Sequence, residues 1–154
     1  MPDPRFDRDE YLVQLTSNFP LLAEAVNQAL PEIIKLTAEN VQDFIEKEMQ
    51  QVKHGRIYEA HIRHITGAGT HQASAPGEAP AIETGDYINS IGHEMLDPTT
   101  AIVYSTMMRG IWLELGTTRI AARPHFVPAA EANAFQFHRE VMELIIDEAT
   151  RLGF

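Results

Sequence analysis

The chain has 154 residues, of which 44% are apolar, and a formal net charge of −10 at pH 7. These values predict one folded domain with one hydrophobic core and exclude a disordered protein. The absence of cysteine excludes disulfide bonds and thiolate chemistry. The three lysines and nine arginines form no basic cluster, which argues against a patch that binds nucleic-acid phosphates.

The N-terminus and the hydropathy pattern indicate neither export nor a membrane partner. No run of 18 apolar residues exists, so no transmembrane helix is expected. The acidic start, MPDPRFDRDEY, lacks the apolar segment of a signal peptide. Pro2 and Pro4 disfavour a helix there, and residues 1–10 are expected to form a mobile arm.

Residues 19–53 have the periodicity of a long helix. A nearly apolar stripe recurs at spacings of three and four: Leu22, Val26, Ala29, Ile33, Thr37, Val41, Phe44 and Glu48. Pro20 suits the first turn of this helix, whereas Pro31 predicts either a kink or the start of a second helix. Gly55 is expected to follow the end of the helix.

An alternating segment and a long polar segment follow this helix. Residues 56–66 alternate and are rich in β-branched side chains, which predicts a strand. Residues 67–83 are rich in Gly, Ala, Ser, Thr and Pro, and 17 residues are many for a connection inside a compact domain. Such loops are commonly functional, so we expect a projecting loop or hairpin that contacts neighbouring subunits.

Three short elements are predicted between residues 84 and 116: a helix over 86–91, a hairpin with strands over 92–96 and 100–105, and a helix over 107–115. Thr84 and Gly85 are expected to cap the first of these helices. The Asp97-Pro98-Thr99 triplet is expected to form the hairpin turn, and Gly116 to end the second helix.

Pro128 is expected at the first position of a C-terminal helix that ends at Gly153. Its predicted buried side consists of Ala132, Phe135, Val141, Leu144, Ile145 and Ala149. The elements together predict a single α+β domain over residues 1–154. Its parts are a long N-terminal helix, with or without a kink at Pro31, a small antiparallel sheet with short helices, and a C-terminal helix packed on the sheet.

Glu114 and Arg123 are the strongest candidates for a polar contact. Glu114 lies at the end of an apolar run, where a partly buried carboxylate needs a partner. Arg123 offers a two-pronged guanidinium nine residues further along the chain. The sequence therefore predicts an ion pair, either as a clamp within the fold or as a salt bridge between subunits. A catalytic carboxylate is the third alternative, but no nucleophile or base accompanies it.

The histidines carry no metal-binding signature. His61, His64 and His71 form the densest group among the seven histidines of the chain. On a strand, His61 and His64 point to opposite faces, and no HExxH or similar ligand spacing is present. P-loop, GxGxxG and GxSxG motifs are also missing. We therefore predict no metal, no cofactor and no enzyme activity.

Four short motifs occur in order between residues 75 and 130: Ala75-Pro76-Gly77-Glu78-Ala79-Pro80, Thr84-Gly85, Glu114-Leu115-Gly116-Thr117-Thr118, and Ala122-Arg123-Pro124 followed by Val127-Pro128-Ala129-Ala130. The ordered set resembles the neck and minor-tail component family of long-tailed bacteriophages, and the match covers about residues 55–145. Family members read roughly PGxxP, TGxLxxSI, YAxxxEFGT and ARPFxxPA. The chain departs from this pattern with Tyr87 for Leu, Gly110 for Ala, Trp112 for Tyr and His125 for Phe.

The resemblance implies a structural virion protein, a neck or tail-completion protein at the head–tail junction. Such a protein is made in the cytoplasm of the host bacterium and assembles as a closed ring, commonly of six copies. Its partners are the connector or stopper on one side and the tail terminator or tail tube on the other, and DNA passes through without sequence-specific binding. The resemblance gives structural roles to the motif residues Pro76, Gly77, Thr84, Gly85, Glu114, Gly116, Thr117, Arg123, Pro124 and Pro128. The candidate assembly contacts are Gly67, Gly69, His71, Arg119 and Arg123.

Three other functions stay open at this point. A tail terminator or head-closure ring protein belongs to the same junction, and the sequence hardly separates it from a neck protein. A small metal-dependent enzyme would use Glu59, His61 and His64. A helical dimerising regulator would be built on residues 19–53. Metal content distinguishes the enzyme from the other candidates, and particle mass distinguishes the dimer.

Overall fold

One helix accounts for more than a quarter of the chain. The computed structural model describes the backbone of residues 8–60 and 69–154, and in it α1 spans Arg8–Gln50. Its 43 residues extend over about 65 Å at 1.5 Å per residue. Residues 8–10 of the predicted arm are therefore helical, and residues 1–7 lie outside the described residues.

The two prolines do not divide α1. The helix begins at Arg8 rather than at residue 19 and continues through Pro20 and Pro31. The predicted place of Pro20 in the first turn is therefore wrong, and so is a second helix that starts at Pro31. An interior proline costs about 3 kcal/mol, which the burial of an apolar stripe over several turns outweighs.

The buried face of α1 follows the predicted stripe and then shifts by one residue. Its most buried side chains are Ala38, Val41, Ile45 and Met49. The predicted continuation through Phe44 and Glu48 is wrong for Glu48, which is exposed, while Phe44 is half-buried. The shift places apolar Met49, rather than a carboxylate, in the core.

The first hairpin joins β1, Ile57–Ala60, to β2, Gly69–Gln72. The strands are antiparallel, with Ile57 opposite Gln72. The predicted strand over 56–66 is confirmed as far as Ala60, and residues 61–68 lie outside the described residues. β2 occupies part of the segment 67–83 that we predict as a projecting loop or hairpin, and residues 73–83 contain no strand.

The second hairpin confirms its prediction. β3, Ile91–Asp97, pairs antiparallel with β4, Thr100–Ser105. The turn between them is held by Asp97, whose Oδ1 accepts the Thr99 amide at 2.7 Å. The predicted helix over 86–91 is only a 3₁₀ turn, Ile88–Ser90, because Ile91 already belongs to β3.

Two more helices complete the fold. α2 spans Arg109–Leu115, which confirms the predicted helix to within two residues, and Gly116 follows it with φ of 74°. α3 spans Phe126–Arg151 and begins two residues before the predicted start at Pro128. Pro128 is therefore the third helical residue, where the amide would lack an intrahelical partner in any case.

α1 and α3 lie antiparallel and form the most extensive contact between elements. The rings of Phe19 and Phe154 meet edge to face at one end, with centroids 5.7 Å apart. At the other end Ala129 of α3 joins the core beside Val41 of α1. α1 also contacts both strands of the second hairpin, and Phe126 of α3 packs on the same core.

The core collects apolar side chains from both long helices, the second hairpin and the loop before it: Val41, Ile45, Met49, Ala79, Tyr87, Ile91 and Ala129. The predicted α+β class is confirmed, with a C-terminal helix that packs on sheet strands. The described strands form two separate two-stranded sheets rather than the one that we predict. None of the helices in residues 8–60 and 69–154 combines the length and apolar character needed to cross a membrane.

Four of the six residues that we predict on the buried side of α3 are half-buried, and two are exposed. Val141, Leu144, Ile145 and Ala149 are half-buried, but Ala132 and Phe135 are exposed. Phe135 retains 77% of its accessible surface. Nine residues are 2.5 turns of a helix, so Phe135 points away from the side on which Phe126 meets the core. α3 therefore has a second apolar side that the described residues do not cover.

Candidate functional site

Two of the sequence motifs lie against each other although more than 40 residues separate them. The Gly77 amide donates to the Ala122 carbonyl at 3.0 Å, and Arg123 Nε donates to Ser74 Oγ at 2.7 Å. Ser74 is buried. We use the name motif cluster for the connected set of Ser74, Gly77, Glu78, Tyr87, Gly110, Glu114, Arg123 and His125.

The Pro-Gly motif forms a tight turn. The Glu78 amide donates to the Ala75 carbonyl at 3.1 Å, and Gly77 has φ of 85°, as the third position of a type II turn requires. Glu78 Oε2 accepts the amides of Ala75 and His54 at 2.8 and 3.1 Å. The Ala75 amide first, and then the His54 ring, lower the pKa of Glu78 to about 2. The turn is thereby tied to the segment that follows α1.

Arg123 directs its guanidinium at backbone carbonyls. Nε and Nη2 donate to the Ser74 carbonyl at 3.3 and 3.1 Å, and Nη1 donates to that of Ala121 at 3.0 Å. The Arg123 amide donates to the Leu113 carbonyl at 2.7 Å, which joins this segment to α2. The Glu114–Arg123 clamp predicted within the fold is therefore wrong. The Ser74 segment satisfies the arginine, and a helix terminus satisfies the carboxylate.

Glu114 caps the N-terminus of α3. Its Oε2 accepts the amides of His125 and Phe126 at 2.8 and 3.0 Å, and its Oε1 accepts that of Val127 at 2.9 Å. Pro128 has no amide hydrogen, so no further donor of the first turn lacks a partner. The carboxylate also complements the positive end of the helix dipole. This cap explains why the helix starts before Pro128.

Glu114 and His125 have shifted pKa values for different reasons. Burial alone would raise the pKa of Glu114, but the amides of Val127, Phe126 and His125, with the His125 ring, hold it below its ordinary value. Burial lowers the pKa of His125, and the Arg123 carbonyl and Glu114 only partly oppose this effect. His125 is therefore neutral at pH 7, and Glu114 is ionised.

The neutral His125 ring has a defined tautomer. Its Nδ1 lies 2.9 Å from the Arg123 carbonyl and 3.0 Å from Glu114 Oε2, and both oxygens can only accept, so Nδ1 carries the proton. Nε2 lies 2.6 Å from the Tyr87 hydroxyl and accepts its hydrogen. Burial, with a smaller effect of Glu114, raises the pKa of Tyr87 to about 12, so the phenol keeps this proton.

Three departures from the motif pattern are neighbours in the structure. Tyr87 and His125 share the hydrogen bond just described. A Cβ atom on Gly110 would lie 3.1 Å from the Tyr87 hydroxyl oxygen and 3.3 Å from Ser105 Cβ. A hydrogen-bonded Tyr–His pair thus occupies positions where the pattern has two apolar residues, and the missing methyl group at Gly110 makes room for the added hydroxyl.

The remaining motif residues form local turns. Thr84 Oγ1 donates to Asp86 Oδ2 at 2.7 Å, and Gly85 has φ of 83°. Thr117 Oγ1 accepts the Arg119 amide at 3.2 Å. The Gly116 position is closely packed, since a Cβ there would lie 2.9 Å from both the Ala122 nitrogen and the Ile120 oxygen.

The candidate assembly contacts lie in different elements of the described chain. Gly69 and His71 lie in β2, where Gly69 is exposed and His71 is half-buried. His71 and Arg123 line one cleft of about 340 Å³, but the Arg123 guanidinium is already engaged within the chain. Arg119 is exposed in the turn after α2. Gly67 lies outside the described residues.

The described residues contain no group of three or more His, Asp or Glu side chains that could hold a metal ion. His61 and His64 lie outside them. In the part that the structure describes, the titratable side chains of the motif cluster bind backbone groups and one another.

Sequence reasoning missed that the apolar face of α2 is exposed. Met108, Ile111, Trp112 and Leu115 are between 50% and 74% exposed, and their spacing places them on one side of the helix. Three of them line a groove of about 510 Å³ between α2 and β4, together with Tyr104 and Phe126. The periodicity of residues 107–115 reveals an apolar face, but it cannot reveal whether the chain covers that face.

Comparison of the chain with models of protein families, with curated proteins and with solved structures gave no match.

Glu114→Ala is expected to lower the free energy of unfolding by about 2–4 kcal/mol, because three amides at the start of α3 lose a charged acceptor. Urea denaturation measures this loss. Glu143→Ala is the matched control, since Glu143 is an exposed carboxylate of α3 that lies 3.8 Å from Arg139. It should change stability by less than about 0.5 kcal/mol. Equal effects of the two variants would refute the capping role.

His125 should make the protein less stable as the pH falls from 7 to 5. The pKa of His125 lies below its ordinary value of 6.5 in the folded state, so below pH 6.5 the unfolded chain binds a proton that the folded chain does not. Tyr87→Phe/His125→Phe removes the titrating ring together with its partner. The melting temperature of this variant should depend less on pH over the same interval.

Below pH 4.5 both proteins should lose further stability, because Glu114, with its lowered folded pKa, then begins to be protonated more readily in the unfolded chain. Thermal unfolding at pH 7, 6, 5 and 4 provides the comparison. Identical pH dependence of the two proteins between pH 7 and 5 would exclude His125 as the source.

Proposed function

We propose that this chain is a structural protein of the head–tail junction of a long-tailed bacteriophage. It is a neck or tail-completion protein, and copies of it form a ring that joins the head connector to the tail. The proposal rests on the ordered motifs between residues 75 and 130 and on what those residues do in the fold.

The observation that carries the proposal is the contact among three of the four departures from the motif pattern, Tyr87, Gly110 and His125. Leu and Phe at positions 87 and 125 would form an apolar contact, and Tyr87 and His125 replace it with a hydrogen bond of 2.6 Å. Gly110 replaces Ala where a methyl group would approach the Tyr87 hydroxyl to 3.1 Å. Compensating changes at touching positions are what a shared structural framework requires, whereas an accidental motif match would scatter them.

The balance between core and surface supports an assembling protein. In the described part of the chain the buried apolar core is small: Ala38, Val41, Ile45, Met49, Ala79, Tyr87, Ile91 and Ala129. Large exposed apolar side chains are more numerous, and they occur on each of the three helices. Such surfaces mark sites of protein interaction, and a ring covers two of them on every copy.

The charge of the chain fits a channel through which DNA passes. The net charge is −10, and the arginines and lysines are scattered along the sequence. A channel wall that bound phosphates through many cations would retain the DNA, because counterion release makes such contacts strong. The wall of an acidic ring does not bind the phosphates in this way, so the DNA is not retained.

The resemblance can be tested by a mutant cycle on the three departures. Gly110→Ala alone should destabilise the protein, because the new methyl group crowds a hydroxyl that His125 holds in place. In the Tyr87→Leu/His125→Phe background the same change should destabilise the protein by about 1 kcal/mol less, because only the 3.3 Å approach to Ser105 Cβ remains. Urea denaturation measures both effects, and an equal loss of stability in both backgrounds would contradict the coupling.

The proposed function predicts a ring. Native mass spectrometry and negative-stain imaging of the purified chain should give closed particles of several copies of 17.3 kDa, commonly six. Virions of the phage that encodes the chain should contain the ring at the head–tail junction, and particles that lack the protein should accumulate as separate heads and tails. Purified protein should restore joining.

Two results would decide against this function. A monomer or dimer that is absent from virions would refute it. A ring that stays with isolated tails, or with isolated heads, would instead assign the chain to the tail terminator or to the head-closure ring of the same junction.

A further inference from the structure

Two arginines line the same cleft, and the fold satisfies them differently. Arg123 donates to the carbonyls of Ser74 and Ala121. Arg109 takes part in no ion pair among the described residues. Its Nε is buried and has no hydrogen-bond partner there. We use the name Arg109 cleft for this space of about 340 Å³, which is lined among others by Met49, His71, Glu83, Tyr87, Arg109 and Arg123.

The unused donor of Arg109 costs stability in the isolated chain. A buried N–H group without an acceptor loses its water and gains no hydrogen bond in return. The guanidinium lies over the Tyr87 ring, with its central carbon 5.4 Å from the ring centroid. This cation–π contact attracts the charge but offers no lone pair to an N–H group. The ring therefore holds Arg109 beside the cleft without satisfying its donors.

The rest of the lining limits the chemistry of a ligand. Met49, Ile88 and Leu113 give the cleft an apolar wall, which suits a short hydrocarbon stem. Glu83 and Asp86 also line the cleft. Two carboxylates repel a phosphate group, which carries up to two negative charges, more strongly than they repel a carboxylate, which carries one. A singly charged anion on an apolar stem fits both observations.

We propose that the Arg109 cleft binds a carboxylate on a short apolar stem, and that Arg109 recognises this group. The planar guanidinium matches the two oxygens of a carboxylate, and the bound anion offsets the desolvation of the cation. The same group occurs in a small organic acid and in the glutamate side chain of another protein molecule. The inference goes beyond the proposed ring and does not depend on it.

The stability of two matched variants tests whether Arg109 has a partner within the chain. Arg109→Met removes a buried donor that has no acceptor, so the melting temperature should rise by about 2–4 °C. Arg123→Met removes the hydrogen bonds to Ser74 and Ala121, so the melting temperature should fall by at least about 4 °C. Thermal unfolding at pH 7 measures both. An equal loss in the two variants would overturn the inference, because the fold would then use both arginines.

Butyrate is the probe for the ligand, with butyramide as its neutral counterpart and inorganic phosphate as the second anion. Saturation-transfer NMR at constant ionic strength should detect butyrate on the unmodified chain and neither of the other two. Arg109→Met should weaken butyrate binding by at least about tenfold, because a charge-assisted pair is lost. Arg139→Met is the matched control, an exposed arginine of α3 that lies 3.8 Å from Glu143, and it should bind butyrate normally.

Glu83→Gln distinguishes an external carboxylate from one within the chain. Glu83 is exposed and lines the cleft, so its neutralisation should strengthen butyrate binding and leave the melting temperature nearly unchanged. A fall in the melting temperature that is absent from Glu83→Gln/Arg109→Met would show that Glu83 itself pairs with Arg109. That result would overturn the inference.

Native mass spectrometry of Arg109→Met identifies the source of the carboxylate. Normal rings together with lost butyrate binding would assign the cleft to a small organic acid. Lost rings with an unimpaired melting temperature, restored in part by Arg109→Lys, would assign it to an acidic side chain of the next copy. The absence of rings from the unmodified chain would refute the proposed function and leave the butyrate result standing. Equal butyrate affinity with and without Arg109, or no binding together with unchanged assembly, would refute the site.

Discussion

A helix that begins in the middle of a chain leaves several amides without partners, and here one carboxylate, Glu114, accepts those at the start of α3. Because Glu114 lies in the last turn of α2, the cap fixes α2 against the start of α3. The loop between them is held by the Gly116 turn and by the bonds of Arg123 to the Ser74 segment. The position at which α3 begins relative to α2 therefore depends on this contact, while packing on α1 holds the rest of the helix.

The polar residues of the motif cluster depend on one another in the same way. Arg123 donates to the Ser74 carbonyl. The His125 ring accepts from the Tyr87 hydroxyl and donates to the Arg123 carbonyl. Glu114 accepts three amides at the start of α3. The loss of one partner leaves a buried group unsatisfied, which costs about 1–3 kcal/mol. Substitution of one member of the cluster therefore disturbs its partners. Tyr87 and Gly110 illustrate this, since a Cβ atom on Gly110 would lie 3.1 Å from the Tyr87 hydroxyl oxygen.

Residue patterns predicted the elements better than they predicted the partners of each side chain. The β3–β4 hairpin, α2 and the α+β class follow from alternation, turn residues and Gly116. The early start of α3 could not be predicted in this way. Pro128 indicates the first turn of a helix, but the boundary is set by the hydrogen bonds to Glu114, which lies fourteen residues before that proline. The clamp predicted between Glu114 and Arg123 within the fold failed for a related reason. Complementary charges identify possible partners, but backbone amides and carbonyls, which every sequence has, can bind the same groups.

Phe135 was predicted to be buried because periodicity does not distinguish a face that the chain itself covers from a face that a partner covers. Its side chain is 77% exposed, and Ile111 and Trp112 of α2 are also at least half exposed. A repeating apolar pattern therefore identifies a helix face that avoids water, but not the molecule that covers this face. The Glu114 cap joins the last turn of α2 to the first turn of α3. It therefore helps to fix the orientation of the apolar face of α2 relative to Phe135, whichever partner covers either of them.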